Sequence, residues 1–328
     1  DQNFNLTTVP MEEETNDDLV YAVKALIEGE ASAVGWQFGL GEKFDQMIGM
    51  INGGYKSGQL PGKAGKLPAY LRLTLVFPYG YGTEFVLAVK KGTGGEWEAI
   101  SKMYEDLPSS TEQVLHPEKY WKHRDNPMDI ALPSLPEEWK LLVNNVHGEF
   151  VLRILLNELK GTGEKALKLS VRQKASAGWD GDRYHVYERN GKVSSVWFST
   201  WDSEEDAKEF FDAYATALAN KYPDATVEPK GETQVQFGTT AFLERRGSDL
   251  LVLDGEADLQ KHASLIWEKT TKTELKKVER FKPGVWTCEK HPEVEKDLNS
   301  YCPECGVRLT KEKEGGKKAE EKPKKDYR

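Results

Sequence analysis

Apolar residues recur every three to four positions along the first part of the chain, which is the spacing of one face of an α-helix. From Thr15 to Phe38 this pattern predicts a helix, and Asn16–Asp18 offer side chains that cap its N-terminus. A second helix is predicted over Glu42–Ile51, because the pattern stops at Asn52-Gly53-Gly54.

Residues 68–90 hold a longer apolar run, which Phe77-Pro78-Tyr79-Gly80-Tyr81-Gly82 interrupts. Proline has no backbone N–H and disrupts a helix interior, so this run predicts two helical pieces with a break between them. A short helix is predicted over Glu96–Tyr104. Beyond it, Ser109-Ser110-Thr111-Glu112-Gln113 has the character of a capping box and predicts a helix through Val114.

The pattern changes after residues 124–138, which are polar and rich in proline. Arg183–Arg189 and Lys192–Thr200 have strand composition and flank Asn190-Gly191, a strong signal for a two-residue hairpin turn. The other predicted elements are helices over Glu149–Leu159 and Glu256–Glu268, a helix capped by Asp202–Asp206 that runs to Lys221, and strands over Thr233–Arg245 and Asp249–Leu253. The sequence therefore predicts an α+β fold with an antiparallel sheet.

These changes of pattern divide the chain into four parts. Residues 1–138 are predicted to be mostly helical, and residues 139–280 to form the α+β module. Residues 281–310 are predicted to be a small separate unit. Residues 311–328 contain eight Lys or Arg and hardly any apolar residue, so they are predicted to be a disordered tail.

Charge and hydropathy exclude two function classes. The formal net charge is -9 at pH 7, whereas a nucleic-acid-binding protein needs a basic face, so no nucleic-acid partner is expected. No apolar stretch approaches the ~20 residues that a transmembrane helix needs. No signal peptide is visible, and the chain begins at Asp1 and not at Met, which indicates a processed product or a fragment.

The three cysteines form one pattern near the C-terminus, Cys288-x2-His291-x10-Cys302-x2-Cys305. Each two-residue spacing lets a tight turn aim two side chains at one ion. Three thiolates and one imidazole make a closed tetrahedral site that favours Zn²⁺ and also accepts Cu(I). Because a unit this small cannot bury enough core, the metal is expected to supply its folding free energy. The site is predicted to be structural or metal-sensing, not catalytic.

The residues around these ligands, Trp286–Val294 and Tyr301–Leu309, closely resemble the heavy-metal-binding domain attached to copper and silver efflux proteins. In that family, methionines stand where this chain has Lys290 and Val307. Without these two thioethers the site has fewer soft ligands, so zinc is expected in preference to copper.

The segment Leu26-Ile27-Glu28-Gly29-Glu30-Ala31 places two carboxylates on an otherwise apolar helix. From the residues alone, two interpretations stay open: a solvated pair at a helix end, or Glu28 as a metal ligand. In gluzincin metallopeptidases one helix supplies two histidines through HExxH and a second helix supplies a glutamate. The glutamate within HExxH acts as general base on the zinc-bound water.

Residues 1–280 resemble a family of secreted zincin-like surface proteins and lipoproteins of bacteria and haloarchaea. The matching pieces are D-Q-N-F-N-L at 1–6, A-L-I-E-G-E-A at 25–31, F-P-Y at 77–79, S-T-E-Q-V-L-H-P-E-K-Y at 110–120, G-W-D-G-D-R-Y at 178–184 and W-D-S at 201–203. In that family the HExxH helix immediately precedes the D-Q-x-F piece. The resemblance implies that Glu28 matches the third zinc ligand, and that His116 or Tyr79 steadies a tetrahedral oxyanion beside the zinc.

This chain contains no HExxH, and none of its six histidines lies in that arrangement. The peptidase site is therefore expected to be incomplete within these residues, and the chain alone is expected to be inactive. Either an upstream fragment carrying HExxH accompanies the chain, or the chain is a remnant. For His116, which precedes Pro117, the alternative role is to end and pack a helix.

A calcium site is one interpretation of the two carboxylates in Trp179-Asp180-Gly181-Asp182-Arg183. The further oxygens and the late glutamate of an EF-hand loop are absent, so a turn leading into a strand is predicted instead.

Two hypotheses for function follow. The first is a processed part or remnant of a gluzincin-type zinc metallopeptidase acting on peptides or proteins, with a separate Cys3His metal site. The second is a non-catalytic metal-binding or partner-docking surface protein on a degenerate zincin scaffold. The family resemblance and the missing start Met place both outside the cytoplasm, as a secreted, periplasmic or cell-surface protein.

Overall fold

The computed structural model describes residues 4, 6, 9–11, 14–163, 166–280, 286–296, 302, 304 and 309–311. Apart from its first residue, the tail predicted over 311–328 lies outside them. The described chain is α+β, as predicted, with a helical part followed by an antiparallel sheet. None of the described helices combines the length and apolarity that crossing a membrane requires.

Helices dominate the first part and also cover the sheet. In the described chain they are α1 (Asp17–Leu40), α2 (Phe44–Lys56), α3 (Ala69–Gly92), α4 (Glu98–Met103), α5 (Thr111–Leu115), α6 (Glu118–Trp121), α7 (Gly148–Glu158), α8 (Leu169–Ser176), α9 (Glu204–Lys221) and α10 (Ala263–Lys269). Caps form where the sequence predicts them, since the side chains of Asn16, Ser110 and Ser203 accept hydrogen bonds from the first turns of α1, α5 and α9.

The strands make one large sheet and two small ones. They are β1 (Met128–Ala131), β2 (Lys140–Asn145), β3 (Trp179–Arg189), β4 (Lys192–Trp201), β5 (Val227–Pro229), β6 (Gln234–Phe237), β7 (Ala241–Arg246), β8 (Asp249–Asp254), β9 (Thr271–Glu274), β10 (Trp286–Thr287), β11 (Glu295–Lys296) and β12 (Thr310–Lys311). The seven-stranded antiparallel sheet has the order β2-β3-β4-β8-β7-β6-β5. β1 pairs with β9, and β10 pairs with β11 and β12.

The predicted β3–β4 hairpin is confirmed. Asn190 and Gly191 both have positive φ, 52° and 75°, as a two-residue type I′ turn requires. The single strand predicted over Thr233–Arg245 is wrong, because this segment forms β6 and β7, which pair with each other across a turn.

Both faces of the large sheet are covered. On one face, buried side chains of α7 and α9, such as Leu152 and Phe210, pack with Trp197 and Trp201 of β4. On the other face, β1 and α10 contribute to a second cluster of buried residues, which includes Phe198. The sheet therefore has an apolar cluster on each face. α7 also faces the helical part, because its Phe150 and Ile154 are buried in the cluster that contains Phe77.

The helical part is built on a close approach of α1 and α3. A Cβ atom at Gly29 would overlap the backbone of Gly82, and one at Gly82 would overlap the carbonyl of Ala25. Only glycine at both crossing positions lets the two backbones touch. Gly29, which is part of the E-G-x-A piece, therefore has a packing role of its own.

The break predicted within residues 68–90 is wrong, because α3 runs unbroken through Pro78. A proline removes one helical hydrogen bond. Here Phe77 and Phe85, which are fully buried, fix α3 in the core on either side of it. α2 also continues past the predicted stop to Lys56, since Asn52 and Tyr55 pack against Gly80 of α3.

Asp182 joins three elements at the start of α7. This carboxylate is buried and accepts backbone N–H bonds from His147 (3.0 Å) and Gly148 (2.9 Å). It also accepts indole N–H bonds from Trp179 (2.9 Å) and Trp197 (3.0 Å). The turn predicted for residues 179–183 is therefore wrong: Trp179 begins β3, and a bulge between Trp179 and Gly181 turns Asp182 toward these donors.

Gly29→Ala is expected to lower the free energy of unfolding by about 1–3 kcal/mol, because the new Cβ atom has to separate α1 from α3. Gly35→Ala is the matched control in the same helix, where a Cβ atom meets nothing within 4 Å. That change should raise the free energy of unfolding by up to about 1 kcal/mol. Urea denaturation measures both. Equal effects at the two positions would contradict the backbone contact.

Asp182→Asn is expected to lower the free energy of unfolding by about 3 kcal/mol or more, because an amide donor then faces buried N–H donors. Asp224→Asn, on an exposed turn, should change it by no more than about 0.5 kcal/mol. Chemical denaturation of the two variants side by side tests the role of Asp182. If Asp182→Asn leaves the free energy of unfolding unchanged, the four hydrogen bonds contribute little to stability.

Candidate metal centre

Three of the four predicted C-terminal ligands come together in one place. The Nδ1 atom of His291 lies 3.8 Å from the Sγ atom of Cys288 and 3.5 Å from the Sγ atom of Cys302. All three ligand atoms lie within 4.8 Å of one another. Cys305 lies outside the described residues, so its place as the fourth ligand stays a prediction.

Short-range backbone bonds give the first ligand pair its shape. The N–H of His291 donates to the carbonyl of Cys288 (3.2 Å), and the N–H of Val294 donates to the carbonyl of His291 (2.9 Å). These turns follow directly after β10, which pairs with β11 and β12. Next to this three-stranded sheet, two buried thiols and a half-buried imidazole lie close together.

The ligand spacing fits a tetrahedral ion. Bonds of about 2.3 Å to sulfur and about 2.0 Å to nitrogen at a tetrahedral angle separate the two atoms by about 3.5 Å. The observed separations are 3.5 and 3.8 Å. The described residues therefore form a Cys2His group that is able to bind a metal ion.

Glu28 and Tyr79 lie near each other across the α1–α3 contact. The pKa of Tyr79 is raised above its usual value, mainly by burial and to a lesser extent by the carboxylate of Glu28. The Tyr79 ring stacks on Tyr55 of α2, with 5.9 Å between ring centroids. Glu28 is thus close enough to Tyr79 to act on it electrostatically, while their roles as zinc ligand and oxyanion partner stay predictions.

His116 makes its contacts elsewhere. Its Nε2 atom lies 3.1 Å from Glu149 and 3.2 Å from the guanidinium of Arg153, both on α7. These bonds tie the end of α5 to α7, which agrees with the alternative interpretation that His116 ends and packs a helix. Its role beside an oxyanion stays a prediction.

Glu28 belongs to no group of three or more metal-ligating side chains within the described part of the chain. Two groups of metal-ligating side chains occur there, Cys288 with His291 and Cys302, and a trio of carboxylates described next. Neither group includes Glu28. A zinc site at Glu28 therefore needs ligands other than the residues that the structure describes.

The carboxylate trio already surrounds a cation. The Nζ atom of Lys119 lies 2.7 Å from Glu112, 2.8 Å from Asp125 and 2.7 Å from Asp202. Because this ammonium occupies the centre of the trio, the group is an ion-pair network and not a second metal site. It connects α5 and α6 to the end of β4. No local sequence pattern predicts the complete network, since Asp202 lies 83 residues after Lys119.

The same place concentrates negative charge. Burial raises the pKa of Glu112 well above its usual range, although Lys119 acts in the opposite direction. Burial, together with Asp202 and Asp125, raises the pKa of Asp180 to about 7. Lys119 thus opposes the effect of burial at both carboxyl groups, and Lys272 does so at Asp180.

Comparison with known proteins covers the sheet module alone. Residues 140–263 match the model of a domain of unknown function, DUF8575. The match begins at the first residue of β2 and ends at the first residue of α10. No curated protein and no solved structure matches the chain. The match therefore outlines a module and assigns no activity.

Asp180→Asn is expected to flatten the pH dependence of stability. The pKa of Asp180 is about 7 in the folded protein, whereas its ordinary value is 3.8. Between these two pH values, folded molecules therefore bind more protons than unfolded molecules do. Stability is therefore lost as the pH rises from about 4 to about 7. Urea unfolding should show Asp180→Asn gaining stability over the parent at pH 8 and much less at pH 4. A constant difference across this range, as expected for Asp224→Asn, would contradict the raised pKa.

Proposed function

We propose that this protein binds one Zn²⁺ ion per chain through Cys288, His291, Cys302 and Cys305, and that this ion has a structural or metal-sensing role. The observation that carries the proposal is the separation of the Cys288 and Cys302 sulfurs from the His291 nitrogen, 3.8 and 3.5 Å. When bound, the ion would supply folding free energy to the C-terminal unit.

The donor set favours zinc over copper. Two thiols and an imidazole at tetrahedral separations suit Zn²⁺, which has no geometric preference of its own. Thioether ligands, which favour Cu(I), are missing, because Lys290 and Val307 stand where the resembling domain has methionine.

The small apolar core of this unit supports a structural role for the metal. Around the two cysteines, the described residues contribute Leu309 as a buried side chain and Trp286 and Val294 as half-buried ones. A core of this size cannot offset the conformational entropy of ordering the unit. Metal ligation would supply the stability that this small core does not provide.

A zincin-like peptidase is the second candidate, and the neighbourhood of Glu28 favours it. Leu71 and Leu75 precede Tyr79 by two turns and one turn on the same face of α3, and they are 47% and 56% exposed. A further helix carrying HExxH would cover such a face and complete a zinc site with Glu28. An upstream fragment as partner, a peptide or protein substrate, and a location outside the cytoplasm belong to this candidate as predictions.

Elemental analysis of the full chain after dialysis tests the first candidate. The expected result is one zinc per chain, with copper absent. Cys288→Ala, His291→Ala and Cys302→Ala should each lower zinc to less than a tenth of this value, because a tetrahedral site loses one of its ligands. His123→Ala is the matched control, since His123 is exposed and lies outside the ligand group, and it should retain the metal.

The metal count separates the two candidates. A single zinc that disappears in Cys288→Ala supports the binding function. A second zinc that survives Cys288→Ala and disappears in Glu28→Gln supports the peptidase. Absence of zinc from the parent chain, after purification with zinc supplied, would contradict the proposed function.

A further inference from the structure

We propose that metal binding at the C-terminal site controls how firmly the N-terminal segment is held against the body of the protein. The N-terminal segment means the described residues ahead of α1, namely Phe4, Leu6, Val9–Met11 and Glu14–Asn16. This inference rests on the proposed function and adds a regulatory consequence to it. It is carried by the contact that the metal-binding unit makes with Glu14, and a second contact from the residues that lead into this unit holds the other end of the segment.

The first contact comes from the metal-binding unit itself. The Nζ atom of Lys296, on β11, lies 3.1 Å from the carboxylate of Glu14. β11 pairs with β10, and Cys288 follows β10 directly. The ion pair therefore depends on the strand pairing that metal ligation would hold in place.

The second contact comes from the residues that lead into this unit. Val278 is buried in the helical core together with Val9. Two residues later, the guanidinium of Arg280 donates to the carbonyls of Phe4 (2.7 Å) and Tyr104 (2.5 Å). The Phe4 and Tyr104 rings stack with centroids 4.1 Å apart. The N-terminal segment is thus held near both of its described ends by C-terminal residues.

Tyr104, which stacks on Phe4, also contacts α1. The hydroxyl of Tyr104 donates to Glu30 on α1 at 2.5 Å. Glu30 lies two residues after Glu28, in the same turn of the helix. The Phe4 end of the N-terminal segment is therefore connected, through Tyr104, to a residue of α1 that lies close to Glu28.

The two contacts respond differently to metal. The Arg280 bonds join residues outside the metal-binding unit and persist when that unit unfolds. The Lys296–Glu14 pair is lost, because β11 no longer has a fixed position. An ion pair with this exposure shifts a local opening equilibrium by about two- to five-fold. The metal effect is therefore a graded loosening at Glu14, not a release of the whole segment.

Hydrogen exchange of the full chain, measured by mass spectrometry with zinc bound and after chelation, tests the inference. Chelation is expected to raise exchange about two- to five-fold in peptides that contain Glu14–Asn16. A peptide within α9 is the internal reference, and its exchange should not change, because α9 packs in the separate core of the sheet.

A charge reversal isolates the ion pair. Lys296→Glu keeps the four ligands and should retain zinc, yet its exchange at Glu14–Asn16 should be high with and without metal. Adding Glu14→Lys to this variant restores opposite charges and should restore the metal dependence. Lys269→Glu makes the same chemical change on the exposed surface of α10 and should behave as the parent.

Zinc content, measured on the same samples, distinguishes the outcomes. If zinc binds and exchange at Glu14–Asn16 does not depend on it, the inference is overturned while the proposed function stands. If Lys296→Glu keeps the parent's metal dependence, the assigned contact is wrong and the inference fails as stated. If no zinc binds, the proposed function fails, and the inference fails with it.

Discussion

The carboxylate of Asp182 is the interaction on which the arrangement of the two main parts depends. A buried charge is costly unless it is fully hydrogen-bonded, and Asp182 meets this requirement with two backbone and two indole N–H groups. The backbone donors belong to the entry of α7, so the charge fixes this helix to β3 and β4. Phe150 of α7 in turn packs against Phe77 of α3, and one carboxylate thereby sets the position of the sheet relative to the helical part.

A second buried carboxyl group, Asp18, extends this junction to α1. It accepts hydrogen bonds from the backbone and the hydroxyl of Thr111, and burial, with Asp182 and Glu149 nearby, raises its pKa to about 8. Lys119 with its three carboxylates lies on the same boundary. The boundary is therefore polar and specific, whereas the two cores beside it are apolar. Polar contacts of this kind fix geometry because each donor has one acceptor, while apolar contacts supply most of the burial.

The C-terminal unit differs from the other two parts in the size of its apolar core. Its described apolar core is very small, and its order depends on side chains that converge on a single point. In the proposed function, such a unit would gain its structure with the metal, while the sheet and the helical part have apolar cores of their own. The ion pair between Lys296 and Glu14 joins this unit to the N-terminal segment.

The sequence by itself determined what depends on neighbours along the chain: the α+β class, the caps at Asn16, Ser110 and Ser203, the Asn190-Gly191 hairpin, and the Cys288–His291 pair. Each of these rests on residues within a few positions of one another. Tertiary structure decided the rest. Pro78 lies within a continuous helix because core packing outweighs one lost hydrogen bond, and Gly29 is needed because a distant helix touches its backbone. Asp182 and Lys119 gain their roles from partners brought in by folding, and no local pattern encodes those partners.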